Sequence, residues 1–331
     1  MQPEARILPV TPAQSETRAQ LALILLGGGV FLAAALFMTL GARGSWAFVL
    51  QFRGMKLLGL ILIAHAVAVS TVLFQTVTAN RILTPSIMGF DALFVLSSTL
   101  LIAFMGSVQL SGLDPRLLFA ARLIVMTLFS MALYRWLFLG EEQSLHRLLL
   151  TGVVFGIFLR TLAEFVQRML DPNEFMVLSD MLFASFTKID PVLMGIGWAL
   201  VLAVTLWLAR NLARLDVIGL GRPVAVNLGI RWRRDVLLVL ALVSVLVAVS
   251  TALVGPVTFF GLLAASLARL AVGTTRHAVL LPAASLTAML LLIGGQTLLE
   301  RLFAFNTALG IVIEFFGGVV FLILLLKGGR R

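Results

Sequence analysis

Apolar and polar positions alternate along this chain on the scale of whole segments rather than of single helical turns. Stretches of about 18–22 residues without a polar face recur, each closed by a short group of charged, glycine or proline residues. Such runs predict helices that cross a bilayer. Hydrocarbon offers no partner to an unpaired backbone group, and the runs are too long for barrel strands. Ten spans are predicted, at about 20–42, 55–76, 87–106, 117–138, 147–168, 190–210, 235–254, 257–273, 278–298 and 308–327. An even number places both ends on one side. The chain therefore reads as an all-α polytopic membrane protein, with a polar tail over 1–19 and one transmembrane domain over 20–331. The first run is too long for a signal-peptide core and reads as an uncleaved span. The connection from Gln167 to Pro191 is acidic and partly amphipathic, which predicts short surface helices.

Composition agrees with this pattern. Hydrophobic residues make up 60% and charged residues 12%, against about 45–50% and about 25% in soluble domains. The net charge of +10 does not point to nucleic acid, because the basic residues sit at span ends without interleaved aromatics. With the N-terminus inside, sixteen of the 25 Lys and Arg fall on cytoplasmic segments and eight outside, with Arg160 within a span. That bias predicts cytoplasmic N- and C-termini. Cysteine is absent, which excludes disulfides, thiolate metal sites and thiol nucleophiles. The three histidines, His65, His146 and His277, lie in separate segments, so no metal cluster or catalytic triad is legible, and neither a resident metal nor a cofactor is expected. No phosphate-cradling Gly-x-x-x-x-Gly-Lys-Ser/Thr loop is present either.

One charged island stands out, "NLARLDVIGLGRPVAVNLGIRWRRD", Asn211 to Asp235. It reads as two short helical segments around a glycine-rich turn, placed by the charge bias on the cytoplasmic side at about 211–234. Gly219, Gly221 and Gly229 permit tight turns there, and Val224, Ala225 and Leu228 make a candidate apolar face.

Four blocks in order resemble the permease subunits of bacterial ABC importers for ferric siderophores, haem and vitamin B12. "TVTANRILTPSIMGFDAL" is similar to the family's Asn-Pro-Leu-Ala-x-Pro-x-x-Leu-Gly block through Asn80, Pro85 and Gly89, with Arg81 in place of proline, a variant of a siderophore branch. The charged island resembles the Leu-Gly-x-x-x-Ala-x-x-Leu-Gly coupling loop through Leu220, Gly221, Ala225, Leu228 and Gly229. "GPVTFFGLLAASLARLAVG" is similar to a Gly-Pro-Ile-x-Phe-x-Gly-Leu-x-x-Pro-His-x-x-Arg block through Gly255, Pro256, Phe259, Gly261, Leu262 and Arg269, with Ala265 and Ser266 where Pro-His is usual. The ending keeps Arg301, Gly310, Gly317 and Phe321, with Ala308 at the usual helix-leading proline.

The resemblance implies a type II importer permease fold, like that of vitamin B12 permeases, without enzymatic activity of its own. It implies separate ATP-binding subunits gripping Gly219, Leu220, Gly221, Arg222, Val224, Ala225, Leu228 and Gly229. It also implies a second permease subunit, heteromeric in this branch, and a periplasmic or lipid-anchored binding protein docked on Arg53, Lys56 and Arg301. The cargo it implies is a ferric siderophore, with catecholates favoured over vitamin B12 or haem.

Arg160 and Glu164, four apart on one helix face, can neutralise each other. The resemblance places the fifth helix along the translocation pathway, to which His65 is also assigned, and satisfied packing contacts remain the alternative for these groups and for Asp91 and Glu314. A proton-coupled secondary carrier, with Glu314, Asp91 or Arg160–Glu164 as relay, is the rival class; the lack of a duplicated half counts against it. A membrane-embedded enzyme is disfavoured by the missing catalytic constellation.

Overall fold

A computed structural model gives the architecture, and it describes residues 12–42, 45–138, 145–182, 186, 190–302, 310, 312–313, 315, 317–319 and 322. Their regular structure is all helical, with twelve α-helices and one 3-10 turn and no strand among the described residues. The long helices are α1 (Pro12–Thr39), α2 (Trp46–Val77), α3 (Phe90–Ser111), α4 (Pro115–Phe138), α5 (Leu145–Gln167), α7 (Pro191–Arg210), α10 (Trp232–Val254) and α12 (His277–Leu302). Among the described residues these eight are the helices long and apolar enough to cross a membrane. The short ones are α6 (Pro172–Leu182), α8 (Leu212–Ile218), α9 (Arg222–Asn227) and α11 (Phe260–Val272), and the 3-10 turn is Pro85–Met88.

The hydrophobic pattern dictates which helices are central. The apolar window of α2 is 72% buried, and α10 and α12 pack along it, whereas those of α1 and α5 are only 11% and 17% buried. Peripheral helices turn Leu25, Phe31, Phe104, Ile157 and Phe165 outward. In water such a surface would be untenable; against acyl chains it is matched to its solvent.

Two expectations change. The predicted span at 257–273 is not a full crossing: α11 has 13 residues, about 20 Å at 1.5 Å per residue, against a hydrocarbon core of about 30 Å. The cause lies in Gly255-Pro256, because Gly255 takes φ +93 and ψ 177, which ends α10, and 255–259 is non-helical. The last predicted span, 308–327, falls largely outside the described residues, as do Glu314, Phe321 and Ala308.

Elsewhere the expectation holds in outline. The third span runs on to Ser111 past a kink at Gly106 (φ 76, ψ 158). The Ser107 N–H released there donates to Glu174 Oε2 at 2.8 Å, which ties the surface helix α6 to α3. One short helix, α6, thus lies in the connection between α5 and α7.

Non-helical backbone deep in a bundle needs polar partners. Near 255–259, Ser70, Thr71, Thr84, Ser250, Thr251 and Thr258 line a cavity of about 10 Å³, roughly the room of one water. Thr258 also donates to Asp91 Oδ2 at 3.0 Å, so Asp91 is a packing contact between α3 and the break. The family-like glycines close the same region. A Cβ on Gly261 would overlap the Thr71 hydroxyl, and one on Gly89 (φ +94) would lie 3.0 Å from Gly156 Cα on α5. Only glycine permits both approaches.

Candidate functional site

Two poles face each other across the bundle, joined by the 26 residues of α12, about 39 Å end to end. One pole carries α8, α9, the end of α2 and the start of α12. The other carries the end of α1, the start of α2 and the end of α12.

At the first pole the glycine-rich island forms a compact knob. Gly219 ends α8, and Gly221 (φ +89) turns the chain into α9 with Pro223 in its first turn. Gly229 (φ +87) turns it again toward α10. Leu215, Ile218, Ala225 and Trp232 point inward and join the main core of the bundle. Leu220, Val224, Val226 and Leu228 point outward, Leu220 and Leu228 at 59% and 60% exposure, with Arg222 exposed beside them. This corrects the expected apolar face. Ala225 is fully buried, since its helical phase turns it toward the body and its carbonyl accepts from Ile230 N–H at 3.0 Å. It supports the knob rather than presenting itself to a partner.

The knob is bolted to the bundle through residues that sequence reasoning left aside. Asp216 Oδ1 on α8 accepts from the backbone N–H of His277 at 2.8 Å and from its Nδ1 at 2.6 Å. A carboxylate only accepts, so Nδ1 carries a proton. The other ring nitrogen lies 2.8 Å from Thr76 Oγ1 near the end of α2. One histidine therefore clamps the knob, α12 and α2 together. In the sequence His277 is a lone histidine in its own segment, and the only signal was its position at the start of a predicted helix.

A second tie runs beside it, where Arg269 Nη1 donates to Gln75 Oε1 at 2.5 Å and Gln75 Nε2 donates to the Arg81 carbonyl at 2.8 Å. Asn80, from the first family-like block, accepts from Ile82 N–H at 3.0 Å and shapes the turn after α2, and Pro85 starts the 3-10 turn that leads to Gly89.

At the opposite pole the expected docking residues do come together, but Arg53 and Lys56 turn their charges inward. Arg53 Nη1 donates to the carbonyls of Phe37 (2.9 Å), Met38 (3.3 Å) and Leu40 (2.8 Å), and Nη2 to Gly41 (3.1 Å). It thereby satisfies the orphan carbonyls at the end of α1. Lys56 pairs with Glu300, both side chains nearly buried, and Gln296 donates to the same carboxylate at 2.8 Å. Arg301 donates to the Leu40 carbonyl yet stays exposed. Of the three, Arg301 alone shows a substantially exposed side chain. Lys56 is a correction, because a surface contact was expected and the structure buries it in an ion pair.

The expected pathway residues do not converge. His65 Nε2 lies 2.8 Å from Thr205 Oγ1 and joins α2 to α7, whereas α5 packs on α3, α4 and the 3-10 turn. Arg160 and Glu164 are both exposed on α5, and no ion pair joins them among the described residues. Arg122 lies two turns into α4 with its guanidinium 5.2 Å from the Phe94 ring centroid. Among the described residues no group of three or more His, Cys, Asp or Glu is placed to hold a metal ion.

With the geometry in place, comparison with known proteins is direct. The sequence profile of the FecCD transport family matches residues 17–327. The chain is 40% identical over 313 residues to the petrobactin import system permease protein YclO of Bacillus subtilis, covering 95% of this chain and 99% of that one. It is 32% identical over 279 residues to the petrobactin import system permease protein FatC of Bacillus anthracis, covering 84% and 79%. Among solved structures, one of a metal-chelate type ABC transporter in an inward-facing conformation superposes with a TM-score of 0.79 at 22% identity, over 93% of this chain and 99% of that one.

Proposed function

Because the chain belongs to the FecCD transport family, we propose that it carries a ferric siderophore of the petrobactin type, a catecholate, from a binding protein across the bacterial inner membrane. It is a multi-pass permease of an ABC importer, the non-enzymatic component, and works with an ATPase and a binding protein. The observation that carries the cargo is 40% identity to a petrobactin permease over nearly the full length of both chains.

In this reading the knob at 211–234 faces the cytoplasm and seats in the ATPase, with both termini on that side. Leu220, Val224 and Leu228 supply the apolar contact, Arg222 the charged one, and Gly219, Gly221 and Gly229 the turns. Closure of the ATPase dimer pushes the knob, and Asp216–His277–Thr76 passes the movement to α12 and α2. Gly255, Pro256 and Gly261, with the half-crossing α11, give the bundle a seam about which it rearranges. The pore needs a second permease subunit, homologous but not identical. The exposed apolar face of α5, with Arg160 and Glu164 on it, is the surface offered to that subunit, where each charge finds a partner or water rather than lipid. At the outer pole Arg301 contacts an acidic patch of the binding protein, while Arg53 and Lys56 hold the pole's shape.

Uptake of radioiron as ferric petrobactin tests the cargo, in cells relying on this permease with its partners, against unlabelled vitamin B12 and haem. Competition by ferric catecholates alone is expected. Competition by vitamin B12 or haem at equal concentration would assign the permease to another branch of the family.

A further inference from the structure

The two family-like blocks that interrupt the helical pattern meet at one point. The turn after α2 enters the bundle through Thr84, the residue before the 3-10 turn, and the break between α10 and α11 supplies Thr258. With Ser70 of α2 and Ser250 of α10 they line the cavity of about 10 Å³. Thr84 is 2% exposed. Its hydroxyl makes no capping bond to the turn that it precedes, and it has no partner among the described residues. A buried hydroxyl left in that state carries its full desolvation cost.

The neighbouring hydroxyls show what the cavity takes. Each has one proton to give and two lone pairs to offer. Ser70 donates its proton to the Val67 carbonyl at 3.0 Å, Ser250 to the Val247 carbonyl at 2.9 Å and Thr258 to Asp91 Oδ2 at 3.0 Å. Three of the lining oxygens therefore keep lone pairs alone, which only a donor can use, while Thr84 still has a proton that only an acceptor can use. A molecule that both donates and accepts, needs 2–4 polar partners and fits a space of about 10–15 Å³ is water. A monovalent cation would also meet oxygen here, but no charged side chain lines the cavity among the described residues, and Asp91 is linked to it only through Thr258. Without a charged ligand a buried ion keeps its desolvation penalty.

We propose that the cavity binds a single water molecule, which accepts from the Thr84 hydroxyl and donates to the Ser70 and Ser250 oxygens. One small ligand then joins α2, α10 and the turn leading to α3, and it completes the hydrogen bonding that the side chains leave unfinished at Thr84. The inference follows from the hydroxyls alone and holds whatever the transporter carries.

Two measurements on the purified, assembled transporter test it. In a density map that resolves ordered water, one peak is expected within hydrogen-bond distance of Thr84 Oγ1 and of Ser70 or Ser250 Oγ. Ordered water elsewhere in the bundle with none at this position would overturn the proposal. Thermal unfolding gives an independent answer, because the two states of the Thr84 hydroxyl predict opposite signs. Valine has the shape of threonine without the hydroxyl. If that hydroxyl holds water, Thr84→Val lowers the melting temperature by a few degrees, and Thr84→Ser, which keeps the hydroxyl, lowers it less. If the hydroxyl has no ligand, Thr84→Val removes a desolvation cost and leaves the transporter as stable or more so, which would contradict the proposal. Exchange of sodium chloride for choline chloride at equal ionic strength is expected to change neither protein. A stabilisation of the wild type by sodium that Thr84→Val abolishes would place a cation in the cavity and overturn the assignment to water.

Discussion

Asp216 is where a single side chain decides whether the knob moves with the bundle or apart from it. Its carboxylate takes two charge-assisted or backbone hydrogen bonds from one histidine, and hydrogen bonds to charged groups contribute about 1.5–3 kcal/mol. Asp216→Asn keeps the shape and halves the acceptor capacity. It is expected to lower thermal stability of the purified permease by an amount in that range and to reduce uptake several-fold while the ATPase still co-purifies. Loss of ATPase association instead would make Asp216 a contact residue rather than a clamp. The same scale shows what was legible beforehand and what was not. Gly89, Gly221 and Gly255 could be read as obligatory glycines, and each takes a positive φ. His277 and Asp216 could not be paired, because 61 residues separate them and no local periodicity reports a contact made by folding.

Among elements, the helix ends carry the information. Long apolar runs made the spans legible, since length and lack of a polar face follow from the solvent. The half-crossing α11 was not legible as such: Gly255-Pro256 breaks the backbone, but the flanking residues stay apolar because the break is buried in protein rather than exposed. The pole at the ends of α1 and α12 misled for a related reason. Basic residues at span ends look alike whether they meet solvent, a partner or the last carbonyls of a neighbouring helix, and Arg53 does the last of these. Lys56 and Glu300 hold α2 to α12 as a nearly buried pair, and removal of one partner from such a pair costs about 3–5 kcal/mol. Lys56→Ala should therefore lower the amount of folded permease, and Lys56→Met with Glu300→Leu should restore most of it. A permease that folds normally with Lys56→Ala but no longer binds its binding protein would return Lys56 to a docking role.

For the whole molecule, the two poles define a direction, and the absence of cysteine makes it measurable without background removal. Asn173→Cys on α6 should react with a membrane-impermeant maleimide in intact cells, and Asn227→Cys on α9 only after permeabilisation. The reverse pattern would invert the topology and put the knob out of reach of any cytoplasmic ATPase. The central claim is mechanical: the exposed knob, clamped to α2 and α12, is what an ATPase grips. Leu228→Arg tests it most directly, because Leu228 is exposed and a charge there leaves the fold intact, unlike one at the buried Ala225. Co-purification of the ATPase and siderophore-dependent iron uptake are measured together on cells with equal membrane levels of the two permeases. The account predicts that both collapse in the variant. Uptake that persists after the ATPase has been lost would contradict it and leave the chain a self-sufficient carrier.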